Sequence, residues 1–161
     1  MAENNNNLAR TYTRFVHLLN ALQSPFALLV RIYVSWIFLK SGWLKLSDWG
    51  QTVSLFESEY KVPLLSPYAA AVAGTAGELV FSVLVIVGLA GRLSAIGLFA
   101  VNALAVISYA HVLFQEGFEA GLGHHYLWGF MLLVIIFYGP GALSIDGLLA
   151  RRSGYVTRDS Y

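Results

Sequence analysis

The stretch Tyr68-Ala-Ala-Ala-Val-Ala-Gly-Thr-Ala-Gly-Glu78-Leu-Val-Phe-Ser-Val-Leu-Val-Ile-Val-Gly-Leu89 is apolar or small throughout, with one exception, Glu78. As a helix rising 1.5 Å per residue it is long enough to cross a hydrocarbon core about 30 Å thick. Glu78 stands near its middle. An ionised carboxylate among acyl chains costs several kcal/mol, so this one must be paired, protonated or in contact with water, and it becomes the leading functional candidate.

The rest of the chain agrees with a membrane setting. Of 161 residues, 57% are hydrophobic and 12% charged, against about 25% charged in soluble domains, and the mean hydropathy is +0.63. Three further apolar runs, at 26–46, 93–113 and 126–143, are long enough to span, the last interrupted by Gly139-Pro140-Gly141. These runs are continuous and lack the strict alternation of a membrane β-strand. The expected fold is therefore all-α, an integral membrane four-helix bundle. A formal net charge of +1 with no basic face gives no reason to expect nucleic acid as a partner. The absence of cysteine excludes disulfides and thiolate ligands.

Outside the spans, Leu8, Tyr12, Phe15, Leu19 and Leu22 recur at helical spacing before Ser24-Pro25, which predicts a surface-lying helix that ends before the first span. Trp49, Val53, Phe56 and Tyr60 predict a second interfacial helix after it. The Asn4 to Asn7 run and the tail after Arg152 read as disordered. The organisation is then a segment 1–25, a bundle 26–146 and a tail 147–161. Arg10, Arg14, Arg92, Arg151, Arg152 and Arg158 fall on one side, so the positive-inside rule predicts a multi-pass protein with both termini cytoplasmic. The first run begins too late and is too long for a secretory signal, and it should remain as an anchor.

Within the spans, Ala71, Gly74, Thr75, Glu78 and Ser82 share one face of the second helix. Small residues of this kind allow close helix approach in lipid, so Glu78 should point into the bundle. Arg31 shares a face of the first helix with Ser35, Phe38 and Gly42, whereas Lys40 lies on the opposite face and should snorkel outward. We expect Arg31 to be the inward partner of Glu78, and Asn102, near the same depth on the third helix, to contact it as well. Such a pair would either handle a ligand or proton or merely fix helix register.

A second cluster is expected at the other mouth of the bundle, where His111 closes the third span, His124 and His125 open the fourth, and Glu116 and Glu119 lie between. His124, His125 and Glu119 are candidate ligands for copper or zinc. Alternatively, the imidazoles could hydrogen-bond a quinone carbonyl or exchange protons, or be ordinary interfacial residues. Trp128 shares a face with His124 and is a candidate anchor or pocket wall. No phosphate loop, nucleophile elbow or haem-histidine pair is present, so electrons, if they move, need a quinone or a partner's cofactor.

Arg31 followed by Phe38-Leu39-x-x-Gly42-x-x-Lys45-Leu46, then Gly77-Glu78, then His124-His125-x-x-Trp128-Gly129 and Gly139-Pro140-Gly141-x-Leu143-Ser144-Ile145-Asp146, resembles the DoxX family of small four-helix bacterial membrane proteins. The stretches Leu55-Phe56-Glu57-x-Glu59-Tyr60-x-Val62-Pro63-Leu64-Leu65 and Gly74-Thr75-Ala76-Gly77-Glu78-Leu79 are similar to the HvfX subgroup, encoded beside copper-binding modified peptides and their maturation enzymes. The resemblance implies functional weight for Arg31, Gly42, Lys45 and Glu78. Ser35 stands where relatives often have glycine, and the cysteines of some relatives are missing.

Three expectations follow from the resemblance. The preferred one is an accessory protein of metal or redox homeostasis, not an enzyme on its own, that supports maturation or export of a copper-binding modified peptide. The second is a quinone-interacting subunit of an oxidoreductase of the thiosulfate:quinone type. The third is a structural anchor. Partners would be the lipid bilayer and either the peptide-maturation proteins or an oxidoreductase subunit, and small-residue faces could support an oligomer.

Overall fold

The computed structural model describes residues 2–153, with side chains from residue 7 onward apart from residue 9. Seven helices make up the described chain, with no strand among these residues: α1 (Ala2–Ser47), α2 (Trp49–Ser58), α3 (Pro67–Val87), α4 (Gly91–Ser108), α5 (Ala110–Leu113), α6 (Glu119–Tyr138) and α7 (Ile145–Arg152). Four of them, α1, α3, α4 and α6, are long and apolar enough to cross a membrane. Helix α1 packs on α3, α3 on α4, α4 on α6, and α6 returns to α1, which closes a four-helix ring. Large apolar side chains such as Trp36, Val80, Ile96 and Phe130 are exposed on its outside. Outward apolar surface of this kind suits a hydrocarbon solvent.

The local sequence explains most element ends. Ser66 caps α3 by accepting from the Ala69 N–H, with Pro67 in the first turn, where a missing donor costs nothing. Asp48 caps α2 in the same way, accepting from Gln51 N at 3.0 Å. Helix α3 ends on Gly88, whose φ of +68° is a left-handed C-cap. A Cβ at Gly88 would fall 2.4 Å from Ser144 Cβ and 2.7 Å from Arg31 Nη1, so the turn needs glycine for space as well as for conformation.

Three boundary expectations are corrected. Ser24-Pro25 does not end a helix: α1 runs unbroken from residue 2 through the Asn4 to Asn7 run and Pro25 to Ser47, with Pro25 inside it. The reason is tertiary, because the Gly139-Pro140-Gly141 loop docks there, Ala142 N donating to Ser24 Oγ at 3.1 Å and Gly141 lying against Ala27. At 1.5 Å per residue α1 exceeds twice the thickness of a hydrocarbon core, and its first half extends past the ring with Leu8, Tyr12, Phe15, Leu19 and Leu22 exposed. The fourth span is shifted, starting at Glu119 and ending where Gly139 turns at φ +84°. The expected boundary at 146 falls inside α7, whose Ser144 cap accepts from Gly147 N. The end of the tail, from residue 154, lies outside the described residues.

The core is divided by depth. Val34, Phe38, Val85, Ala95, Leu98, Leu132 and Ile135 fill the half of the ring nearer the termini. A smaller cluster, Phe56 with Ala70 and Ala71, seats α2 on α3 at the other end. Between the two clusters the ring is not filled.

Candidate functional site: a cavity and its ion pair

That gap is a cavity of about 420 Å³ walled by α1, α3, α4 and α6 and roofed by α2 and the segment after it. Its walls are apolar for the most part, from Ile37, Phe38, Val101, Leu104 and Leu113, and aromatic, from Phe56, Tyr60, Tyr109 and Trp128. Polar groups converge on it from three sides: Ser41 and Lys45, Glu78, and His125. A largely apolar pocket of this size with a few fixed polar groups is the usual form of a small-molecule site.

Glu78 points inward, as its helix face predicted, and is buried. Its partner is Lys45, not Arg31. The Lys45 ammonium lies 2.7 Å from Glu78 Oε1 and 2.8 Å from Oε2, and it also donates to Ser41 Oγ at 2.8 Å. Ser41 Oγ in turn donates to Glu78 Oε1 at 3.3 Å. Ser41 and Lys45 are four residues apart, hence on one helix face, and Gly42 between them lets α1 touch α3: a Cβ there would stand 2.9 Å from Leu79 Cγ and 3.0 Å from Glu78 Cβ. Gly42 therefore sets the approach that brings the ammonium within reach of the carboxylate.

Arg31 does face the interior, but eleven positions before Gly42, which at 1.5 Å per residue is about 16 Å along the axis. No arginine spans that. Its guanidinium is fully buried and bonds carbonyls instead: Nη1 donates to Pro140 O at 2.5 Å, and Nη2 to Ile86 O at 3.1 Å and Leu143 O at 2.8 Å. The charge sits at the C-terminal end of α3, where exposed carbonyls favour a cation. Asp146, one of the family-motif positions, caps the neighbouring N-terminus by accepting from Ala90 N at 2.9 Å and Gly91 N at 2.7 Å. Arg31 and Asp146 thus fasten the turn ends nearer the termini and stand apart from the cavity.

Asn102 does not reach Glu78 either. Its Nδ2 donates to His125 O at 3.0 Å, and its Oδ1 lies 2.8 Å from His125 Nδ1. An amide oxygen only accepts, so Nδ1 must carry the proton, and Nε2 is left as the acceptor of that ring. Gly129 provides the room, since a Cβ there would sit 3.3 Å from Asn102 Nδ2. His125 also meets Trp128 edge-on at 4.9 Å, and Trp128 meets Phe38 edge-on at 5.7 Å, so the wall is a packed aromatic unit.

The expected metal cluster is not assembled. His124 is exposed and stacks on Trp128 at 5.7 Å. Glu119 folds back to accept from Gly117 N at 3.1 and 3.0 Å, and His111 is exposed beside Tyr109. Among the described residues no three His, Cys, Asp or Glu side chains are grouped to hold a metal ion.

The roof was only partly legible. Phe56 and Tyr60 turn inward as the helical spacing implied, Tyr60 meeting Phe56 at 4.9 Å and Tyr109 at 5.3 Å between ring centres. Thr52 Oγ1 donates to Lys45 O at 2.8 Å and Lys61 N donates to Ser108 O at 2.9 Å, which ties the roof to α1 and α4. Burial pushes the Tyr60 phenol above its ordinary pKa, assisted by Tyr109, Glu78 and Glu59. The role of Ser41 was missed, although its placement one turn from Lys45 and beside Gly42 was a readable signal.

A closed ring of four apolar helices around a charged, aromatic-walled cavity defines the class, an all-α integral membrane bundle. The family model described as DoxX matches residues 26–112, more than half of the chain, and the chain belongs to the DoxX family. That match takes in Arg31, Gly42, Lys45, Glu78 and Asn102 and ends before His125 and Trp128. Neither the curated proteins nor the solved structures provide a match.

Proposed function

We propose that this DoxX-family membrane protein binds a quinone-class molecule in the cavity and serves as the quinone-interacting membrane subunit of an oxidoreductase, in the bacterial inner membrane with both termini cytoplasmic. The observation that carries the reading is the meeting of Lys45, Glu78 and His125 on one apolar, aromatic-walled space of about 420 Å³. A ring with two carbonyls fits such a set: the ammonium donates to a carbonyl in place of Ser41 Oγ, the aromatic walls cover the faces, and His125 Nε2 accepts from a reduced hydroxyl. A quinone supplies the capacity to take up two electrons and two protons. The chain's own contribution is to hold the ring away from water and to keep a carboxylate, an ammonium and an imidazole beside it.

The topology rests on Arg10, Arg14, Arg92, Arg151 and Arg152, which flank the spans at the end where the termini lie. On this reading the electrons come from a partner subunit that carries the redox centre. The protein reconstituted in nanodiscs should bind decylubiquinone saturably, with Trp fluorescence quenched, and Lys45→Met with Glu78→Gln should weaken that binding. Wild-type protein that neither retains quinone through purification nor binds it on titration would overturn the reading.

A second reading is favoured by one observation. The two HvfX-like stretches contribute Phe56, Tyr60, Val62 and Leu65 to the roof, and Gly74 and Glu78 to the wall, of the same cavity. On this reading the protein is an accessory in maturation or export of a copper-binding modified peptide. A deletion strain with unaltered copper tolerance and unaltered peptide processing would remove it.

A further inference from the structure

Helices α3 and α4 interlock at one level. A Cβ at Gly77 would stand 2.8 Å from Val101 Cγ2, and one at Gly97 would stand 2.5 Å from Phe81 Cε1, so a side chain of each helix seats directly on a glycine of the other there. Toward the roof the facing residues of both helices line the cavity instead of each other. Two of them, Ala73 and Leu104, have a second property. Ala73 continues the exposed stripe of Ala76, Val80 and Val83 along α3, and Leu104 continues that of Ile96 and Ala100 along α4. These stripes are the outer, lipid-facing sides of the two helices, and both residues border the cavity as well. Both residues therefore stand where the seam between α3 and α4 meets the cavity.

We propose that the gap between Ala73 and Leu104 is a lateral portal from the bilayer, so that the occupant is an amphipathic lipid whose polar head sits at Lys45 and Glu78 while its apolar tail passes out between α3 and α4 among the acyl chains. The head reaches the ion pair from α3's own side, since Glu78 lies five residues, little more than one turn, beyond Ala73. The small side chain at position 73 keeps the neck open. The roof, tied to Lys45 O and Ser108 O, separates the same space from the aqueous side. This rests on the quinone-class reading but adds the route and the requirement for a tail.

The test compares two probes, decylubiquinone and the tail-free ring coenzyme Q0, on nanodisc-embedded protein. Wild type should bind the tailed probe more tightly. Ala73→Trp, which fills the neck, should weaken decylubiquinone by about tenfold, the scale of overpacking a closed wall, and leave coenzyme Q0 within about twofold. Leu104→Trp, from the opposite jamb, should discriminate in the same way. Ala76→Trp stands on the same outer stripe but not on the cavity, and should change neither. Equal loss of both probes in the two neck variants, or no loss of either, would overturn the portal while leaving the quinone reading intact. Failure of wild type to bind either probe would overturn the quinone reading, and the portal with it.

Discussion

Lys45 holds both carboxylate oxygens of Glu78, at 2.7 and 2.8 Å, from a position one turn closer to the end of α1 than the glycine that lets the two helices touch. Their side chains retain 20% and 10% of their accessible surface, so the pair is largely withdrawn from solvent. Desolvation and attraction nearly cancel in such a pair, and the severe state is the one with a single charge left behind.

Breaking the pair should therefore be non-additive. Lys45→Met alone is expected to destabilise by about 3–5 kcal/mol, and the double variant Lys45→Met with Glu78→Gln should recover most of that loss. Thermal unfolding of the purified protein in detergent measures both. A double variant as damaged as the sum of its two singles would show that the charges do not depend on each other.

Arg31 acts elsewhere and should behave differently. Its planar fork donates to three carbonyls from two nitrogens, a geometry that a lysine ammonium on a single stem does not reproduce. Arg31→Lys should cost about 3 kcal/mol, the worth of one or two charged hydrogen bonds, and raise hydrogen exchange in the 139–144 loop. Ligand affinity at the cavity should stay within the error of measurement, because Arg31 does not line it.

Two glycines give a sharper contrast. Gly88→Ala puts a methyl group 2.4 Å from Ser144 Cβ on a backbone at φ +68° and should destabilise by about 2 kcal/mol or more. Gly123→Ala, in α6 with nothing within 4 Å of the new atom, should be neutral or stabilising by up to about 1 kcal/mol. Paired melting curves decide this, and a tolerant position 88 would contradict the packing of Arg31 and Ser144 around it.

Tyr60 predicts an alkaline signature. Its phenol is raised in the folded protein, so below the ordinary tyrosine pKa of about 10 the folded state keeps the full benefit of a neutral buried ring. As pH rises past that value the unfolded chain loses its proton first, and stability falls until the folded phenol titrates too. Tyr60→Phe should flatten the decline in stability above pH ~10 and remove one phenolate that titrates above the ordinary value from the absorbance titration near 295 nm. An unchanged alkaline slope would place Tyr60 in contact with water.

The composition and the length of the apolar runs made the four-helix membrane class readable from the sequence, because hydrocarbon admits only internally bonded helices or closed barrels, and continuous apolar runs of this length lack a barrel strand's alternation. The inward face of Glu78, the second surface helix with its buried Phe56, and the inward face of Arg31 were readable as well, since each depends only on a 100° step per residue. Partner choice was not. Whether Glu78 meets Arg31 or Lys45 depends on how far α1 slides along α3, and that register is set where Gly42 meets Glu78 and Leu79. The same is true of Asn102, which is satisfied by His125 on a helix whose start lies seven residues before the expected one. Pro25 was read by its local rule, yet α1 continues through it, with the loop at 139–142 docked on that turn. Periodicity assigns a residue to a face; only the packed bundle assigns it to a depth, because axial position is fixed by contacts between helices that are distant in sequence.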